Sequence, residues 1–232
     1  MWFVCSQKNG VSALGLQRVL GFGSYETAWA WLHKLRRAMV RPDRELLGGD
    51  GVSVEIDQTF IGGRSQRQGQ GKRGPRYTNK AEVVIAVERQ HPKGLGRVRL
   101  RHIELSDRKN ELFSFTQDCI AHGTILYTDG DSVFRDVTKR LQLRHEPIAL
   151  VHAAGPAHEM LPAVHRVASL LKRWLAGTLH DGQSDEYLGY YLDEFTFRFN
   201  RRTSRSRGLL WYRLIQHAVL TDPHPLDVLQ HK

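Results

Sequence analysis

The stretch VSVEIDQTFIGG, residues 52–63, decides how the chain is read. Val52, Val54 and Ile56 alternate with Ser53, Glu55 and Asp57, a period of two that predicts a strand with one buried and one polar face. Asp57 then stands beside Ile56 and Phe60. A partly desolvated carboxylate is costly there unless it is paired or holds a metal. Asp57 is therefore either a satisfied structural residue or a ligand, and its partners must come from elsewhere in the chain.

Working outward, AEVVIAVE (81–88) is a nearly continuous apolar run and predicts a buried central strand. RVRLRHI (97–103) alternates basic with apolar and predicts a strand with one wet, positive face. Residues 107–121 suit a helix, TILYT (124–128) a short buried strand ending at Asp129, and 132–143 another helix. Residues 161–176, 186–199 and 209–220 also read as helices. Early strands, then alternating helices and strands, then a helical tail indicate an α/β or α+β fold with a mixed sheet. Upstream, residues 10–40 read as two helices. Ser12 caps the first, GFG at 21–23 breaks it, and Ser24 caps the second, where Trp29, Leu32, Leu35 and Met39 recur near helical spacing. Its expected exposed face carries Lys34, Arg36 and Arg37. Two such helices fit a helix-turn-helix or an ordinary helical hairpin. Residues 41–51 read as a linker.

Lys and Arg number 34 against 24 Asp and Glu, a net charge of +10 with a pI near 9.9. That excess points to a polyanionic partner, nucleic acid first. No run approaches a membrane span of roughly 18 apolar residues. The start, MWFVCSQKNG, lacks the features of a signal peptide. Cys5 and Cys119 support neither a disulfide framework nor a zinc site, and a reducing cytoplasm is the expected compartment. Between the first two strands, residues 62–80 hold Arg64, Arg67, Lys72, Arg73, Arg76 and Lys80 and no acid. Such a segment is either a solvated hairpin loop or a contact for DNA phosphates, and the nearby Asp57 favours DNA.

Asp129 lies in YTDGD, at the carboxyl end of a strand, where α/β folds collect ligands. If strands 52–61 and 124–129 are neighbours, Asp57 and Asp129 can share a cation. Hard oxygen ligands without an all-protein cage suit Mg²⁺ or Mn²⁺. Two such ions about 4 Å apart serve phosphodiester chemistry. Asp131 is explained by a helix N-cap. His165 and Lys172, seven residues apart, share a helical face two turns apart, either as a polar stripe or as metal ligand and phosphate holder. His158 and Glu159 precede Pro162 and also come within reach of the site. Glu194, Arg198 and Arg201 share a face, Phe195 and Phe199 another. Arg201, Arg202, Arg205 and Arg207 form a basic end suited to a DNA backbone.

Taken in order, VEIDQTFIGG, YTDGD, LPAVHRVASLLKRWLAGT and YLDEFTFRFNRR resemble the bacterial insertion-sequence transposases with an ISXO-like catalytic domain, the insertion sequence fifteen-ninety-five group. The resemblance extends to SQKNGVSALGLQRVLGFGSYETAWAWLHKLRRAM and so to nearly the whole chain. It implies an RNase H-like fold and a DDE-type site using Mg²⁺ or Mn²⁺, two ions, for DNA cleavage and strand transfer. It divides the chain into a helix-turn-helix-like region at 1–45 and a catalytic domain with a helical carboxyl-terminal tail at 50–222. Asp57 and Asp129 match the first two catalytic aspartates. His165, seven residues before Lys172, stands where the third falls, with Glu159 as the competing carboxylate. Lys34, Arg36, Arg37, Lys72, Arg73, Arg198, Arg201 and Arg202 are the expected DNA contacts. Double-stranded DNA is the implied partner, in a cytoplasmic, nucleoid-associated setting, with a homo-oligomer expected when two element ends are synapsed. Three departures stand out. Gln58 replaces an acid and Asp131 an aromatic, and the family's amino-terminal zinc ribbon is not in this sequence. The missing ribbon and Gln58 favour an alternative, a truncated DNA-binding remnant with impaired catalysis, which the intact Asp57 and Asp129 oppose.

Overall fold

The computed structural model describes residues 1–40, 44–62, 67–71, 74–77, 80–90, 94–148, 160–179 and 185–230. Side chains at 63–79 are outside that description. The chain divides into two compact units, residues 45–172 and residues 1–44 with 173–232.

The first of these is built on a five-stranded sheet. β1 (Ser53–Ile61) pairs antiparallel with β4 (Ala81–Arg89), and β4 pairs antiparallel with β5 (Leu95–Ile103). On its other side β1 runs parallel to β6 (Ile125–Thr128), and β6 parallel to β7 (Arg144–Pro147). The order β5-β4-β1-β6-β7 gives a mixed α/β sheet of the RNase H-like kind. Two further strands, β2 (Arg67–Gly71) and β3 (Gly74–Tyr77), pair as a separate hairpin within the basic stretch. Helices α4 (Arg108–Cys119) and α5 (Ser132–Arg140) cover one face. Val54 and Ile56 of β1 join Val84, Leu112, Phe115, Leu126 and Phe134 in its core.

Alternation in β1 predicted one wet face, but residues 53–56 are all buried. The strand is central, and its second face is covered as well. β5 is likewise less basic at its surface than RVRLRHI suggests. Arg99 is buried and donates to the Glu45 carbonyl at 2.7 Å. Arg97 pairs with Glu88 and Glu45, and Arg101 with Asp118.

The second unit is helical. α1 (Trp2–Ser6), α2 (Ala13–Leu20) and α3 (Tyr25–Arg37) come from the amino end. α6 (Pro162–Leu179) crosses from one unit's residues into the other's. α7 (Leu188–Asn200), α8 (Arg207–Val219) and α9 (Leu226–Gln230) follow. The expected caps are present: Ser12 accepts from the Gly15 N–H and Ser24 from the Thr27 N–H. Gly21 closes α2 at φ 67°, a left-handed conformation that glycine adopts without strain. Leu16, Leu32, Leu35 and Met39 pack with Phe197, Leu210 and Leu214, so α2, α3, α7 and α8 share one core. No described helix is long and apolar enough to cross a membrane.

Candidate active site

β1 and β6 register Ser53 with Ile125, Val54 with Leu126 and Glu55 with Tyr127. The same offset carried two residues on brings Asp57 level with Asp129. Gly130, at φ 82°, turns the chain after Asp129, and Asp131 caps α5 by accepting the Val133 N–H at 3.0 Å. The Asp131 N–H in turn donates to Asp129 Oδ1 at 3.1 Å. Asp57 Oδ1 accepts the Gln58 N–H at 2.7 Å. Its carboxyl is pushed up to about 6, by burial first and then by the negative charges of Asp129 and Glu55, against the Gln58 N–H and Arg108.

α6 brings the third group. His165 Nε2 lies 3.9 Å from Asp57 Oδ2. Lys172, two turns on, has its ammonium lowered by partial desolvation and by the charge of Lys80. Glu55, two residues before Asp57 on the same face of β1, fixes where this helix begins. Its Oε2 accepts the N–H groups of Ala163 and Val164 at 2.8 and 3.0 Å. These are orphan donors at the helix start, next to the positive end of the macrodipole. Burial pushes the Glu55 carboxyl up in spite of those bonds. The sequence reading passed over Glu55. Its signal was an acid two residues from Asp57 on a strand, together with a proline, Pro162, opening a helix.

Two carboxylates level on adjacent strands offer hard oxygen ligands that suit a divalent cation, and an imidazole, a softer donor, lies beside one of them. Burial first, and then the nearby carboxylates, raise Asp57, and a bound cation would favour its ionised form. Among the described residues no cluster of three or more ligating side chains is drawn together. Glu159, the competing carboxylate, lies outside the described residues, as do Lys72 and Arg73.

The expected DNA contacts separate into two groups. Lys34 and Arg202 are exposed, and Arg37 and Arg201 partly so. Arg201 and Arg202 lie over the rings of Phe197 and Phe199. Arg36 is not on an exposed face: it is 2% exposed and its Nε donates to Glu194 Oε2 at 2.8 Å. Arg198 is also turned inward. It donates to Glu194 Oε1 and to the carbonyls of Val4 and Gln7, each at 2.8 Å. Glu194 is therefore no exposed intrahelical partner but the buried centre of an Arg–Glu–Arg cluster. Burial opposes its ionisation, yet Arg36 and Arg198 hold its carboxyl below the ordinary range. Neither arginine has a guanidinium free for phosphate, because leaving Glu194 unpaired would be costly.

The sheet order and the carboxylate pair on its central parallel strands define an RNase H-like class. Within that class the chain belongs to the ISXO2-like transposase domain family, whose model matches residues 46–200. No curated protein matches the chain. Among solved structures it is similar to a chain of the simian T-cell lymphotropic virus intasome in complex with PP2A regulatory subunit B56 gamma. The likeness has 16% identity and a TM-score of 0.37, covering 80% of this chain and 61% of that one.

Proposed function

We propose that the chain catalyses metal-dependent cleavage and transfer of DNA strands at the ends of an insertion sequence. The observation that carries this is the β1–β6 register, which brings Asp57 level with Asp129 while α6 sets His165 3.9 Å from Asp57. Asp57 and Asp129 would hold Mg²⁺ or Mn²⁺, with His165 completing the ligand set. Such ions, when bound, activate an attacking oxygen and stabilise a leaving one in phosphodiester chemistry. Glu55 fixes the start of α6 and so aims His165. Lys172, on the same face as His165, offers a cation for a phosphate. Lys34, Arg37, Arg201 and Arg202 meet the DNA backbone, in the cytoplasm, with two copies or more when two ends are held together.

The test is nicking of a supercoiled plasmid carrying the element's ends, with Mg²⁺, with Mn²⁺ and with EDTA. The chain is expected to nick with metal only, and Asp57→Ala or Asp129→Asn to abolish nicking while keeping DNA binding. Cleavage by Asp129→Asn would overturn the assignment. Binding without nicking by the unaltered chain would favour the DNA-binding remnant.

A further inference from the structure

Arg108 opens α4 and reaches three other elements at once. Its Nε donates to Glu82 Oε1 on β4 at 3.0 Å. Its Nη2 donates to Gln58 Oε1 on β1 at 3.2 Å and to Asp131 Oδ2 at the start of α5 at 3.0 Å. Gln58 directly follows Asp57. Asp131 donates its backbone N–H to Asp129 Oδ1. One guanidinium therefore fastens both segments that carry the level aspartates. Two carboxylates side by side repel, and the β1–β6 pairing stops at Glu55 and Tyr127, before either is reached. Beyond that point the backbone ladder no longer holds the strands together, and Arg108 supplies a cross-link there.

We propose that Arg108 is a positioning residue that sets the spacing of the Asp57 and Asp129 carboxylates, acting through Gln58 and Asp131. The proposal rests on the reading that these two aspartates hold a divalent cation. Groups that orient a metal's ligands without touching the metal matter nearly as much as the ligands themselves. The geometry also defines an exchange. Gln58 Oε1 and Asp131 Oδ2 share one guanidinium nitrogen, and the Gln58 amide nitrogen is buried without a hydrogen-bond partner among the described residues. A carboxylate at position 58 would keep the acceptor for Arg108 and forgo no hydrogen bond of the amide nitrogen. It would give Arg108 the anion that Asp131 now provides.

The experiment uses the full chain with Mn²⁺ as the probe, its binding followed by electron paramagnetic resonance. Arg108→Gln and Asp131→Asn are each expected to weaken Mn²⁺ binding about tenfold. The double variant Arg108→Gln with Asp131→Asn should be no weaker than Arg108→Gln alone, because that change already breaks the connection to Asp131. Gln58→Glu should restore binding in Asp131→Asn, and should fail to do so once Arg108 is Gln. A merely structural arginine would lower the unfolding midpoint while leaving Mn²⁺ affinity and the rescue pattern unmoved. Wild-type affinity in Arg108→Gln, or additive losses, would overturn the proposal. An unaltered chain that binds no Mn²⁺ through Asp57 would instead sink the metal reading. Carboxyl ¹³C signals of the metal-free chain decide the proposal in that case. Arg108→Gln is expected to move the signals of Asp57 and Asp129, and unmoved signals would refute the positioning role.

Discussion

Asp57 and His33 are both titratable groups kept from water, and they pull stability in opposite directions with pH. The Asp57 carboxyl rises from 3.8 to about 6 in the folded chain. Its contribution is complete below the unfolded value and is lost as pH rises through the folded one, so at neutral pH the ionised group is strained in its buried surroundings. Asp57→Asn is therefore expected to stabilise the metal-free chain at pH 7.5, by about 1–3 kcal/mol. Mg²⁺ should raise the melting temperature of the unaltered chain and leave the variant's unchanged. A lower melting temperature for metal-free Asp57→Asn would mean the carboxylate is structurally satisfied. His33 is wholly buried among Trp29, Tyr187, Tyr190 and Tyr191, and neither ring nitrogen has a hydrogen-bond partner among the described residues. Burial first, then the charge of Arg36, lowers it from 6.5 to about 3. Its neutral form stabilises fully above pH 6.5, and that contribution falls as pH drops toward 3, by about 1.4 kcal/mol per pH unit. His33→Phe should flatten this slope in urea unfolding between pH 4.5 and 7.5. An unchanged slope would show that the ring takes up a proton without cost.

At the scale of elements, the join between β1 and α6 decides whether the site forms. Glu55 holds the first free N–H groups of α6, and His165 follows one residue after the second of them. Glu55→Ala leaves two buried donors unsatisfied and should cost about 2 kcal/mol or more. Glu55→Gln keeps an acceptor but loses the charge that complements the helix start, and should cost about 1 kcal/mol. Amide exchange at Ala163 and Val164 should speed up in the alanine variant far more than in glutamine. Equal exchange in both would remove Glu55 from its capping role. Much of this was legible beforehand. Alternation in β1, the caps at Ser12 and Ser24, and the strand ending at Asp129 all act between near neighbours, which a sequence displays directly. β7 was not legible, because RHEP is short, polar and at a sheet edge, with no apolar period to betray it. The Glu55 contact spans 108 residues and the Arg36–Glu194 contact 158, so no local pattern distinguished these buried charges from exposed ones. Gln58 and Asp131 read singly as departures from a family pattern, while in the fold both answer to Arg108.

At the scale of the molecule, the helical unit draws on both ends of the chain, and its buried charges join them. Arg36 from α3 and the Val4 and Gln7 carbonyls from the first residues complete the shell around Glu194 and Arg198 of α7. A chain trimmed of residues 1–44 would leave Glu194 half-paired, and breaking a buried pair costs about 3–5 kcal/mol. Such a chain is expected to lose cooperative unfolding of α7 and α8. The same cluster sorts the chain's basic residues for DNA binding. A net charge of +10 predicts affinity that falls steeply with salt, the slope of log K against log salt being about −0.9 per phosphate neutralised. Lys34→Gln and Arg202→Gln, at exposed positions, should each reduce that slope by about one unit and leave the fold intact. Arg36→Gln removes the same formal charge from inside the unit. It should lower the unfolding midpoint while the folded fraction keeps the unaltered salt slope. Asp129→Asn should alter neither, because under the proposed function its charge serves the metal and not the DNA backbone. A reduced slope for folded Arg36→Gln would mean that its guanidinium leaves Glu194 to meet DNA.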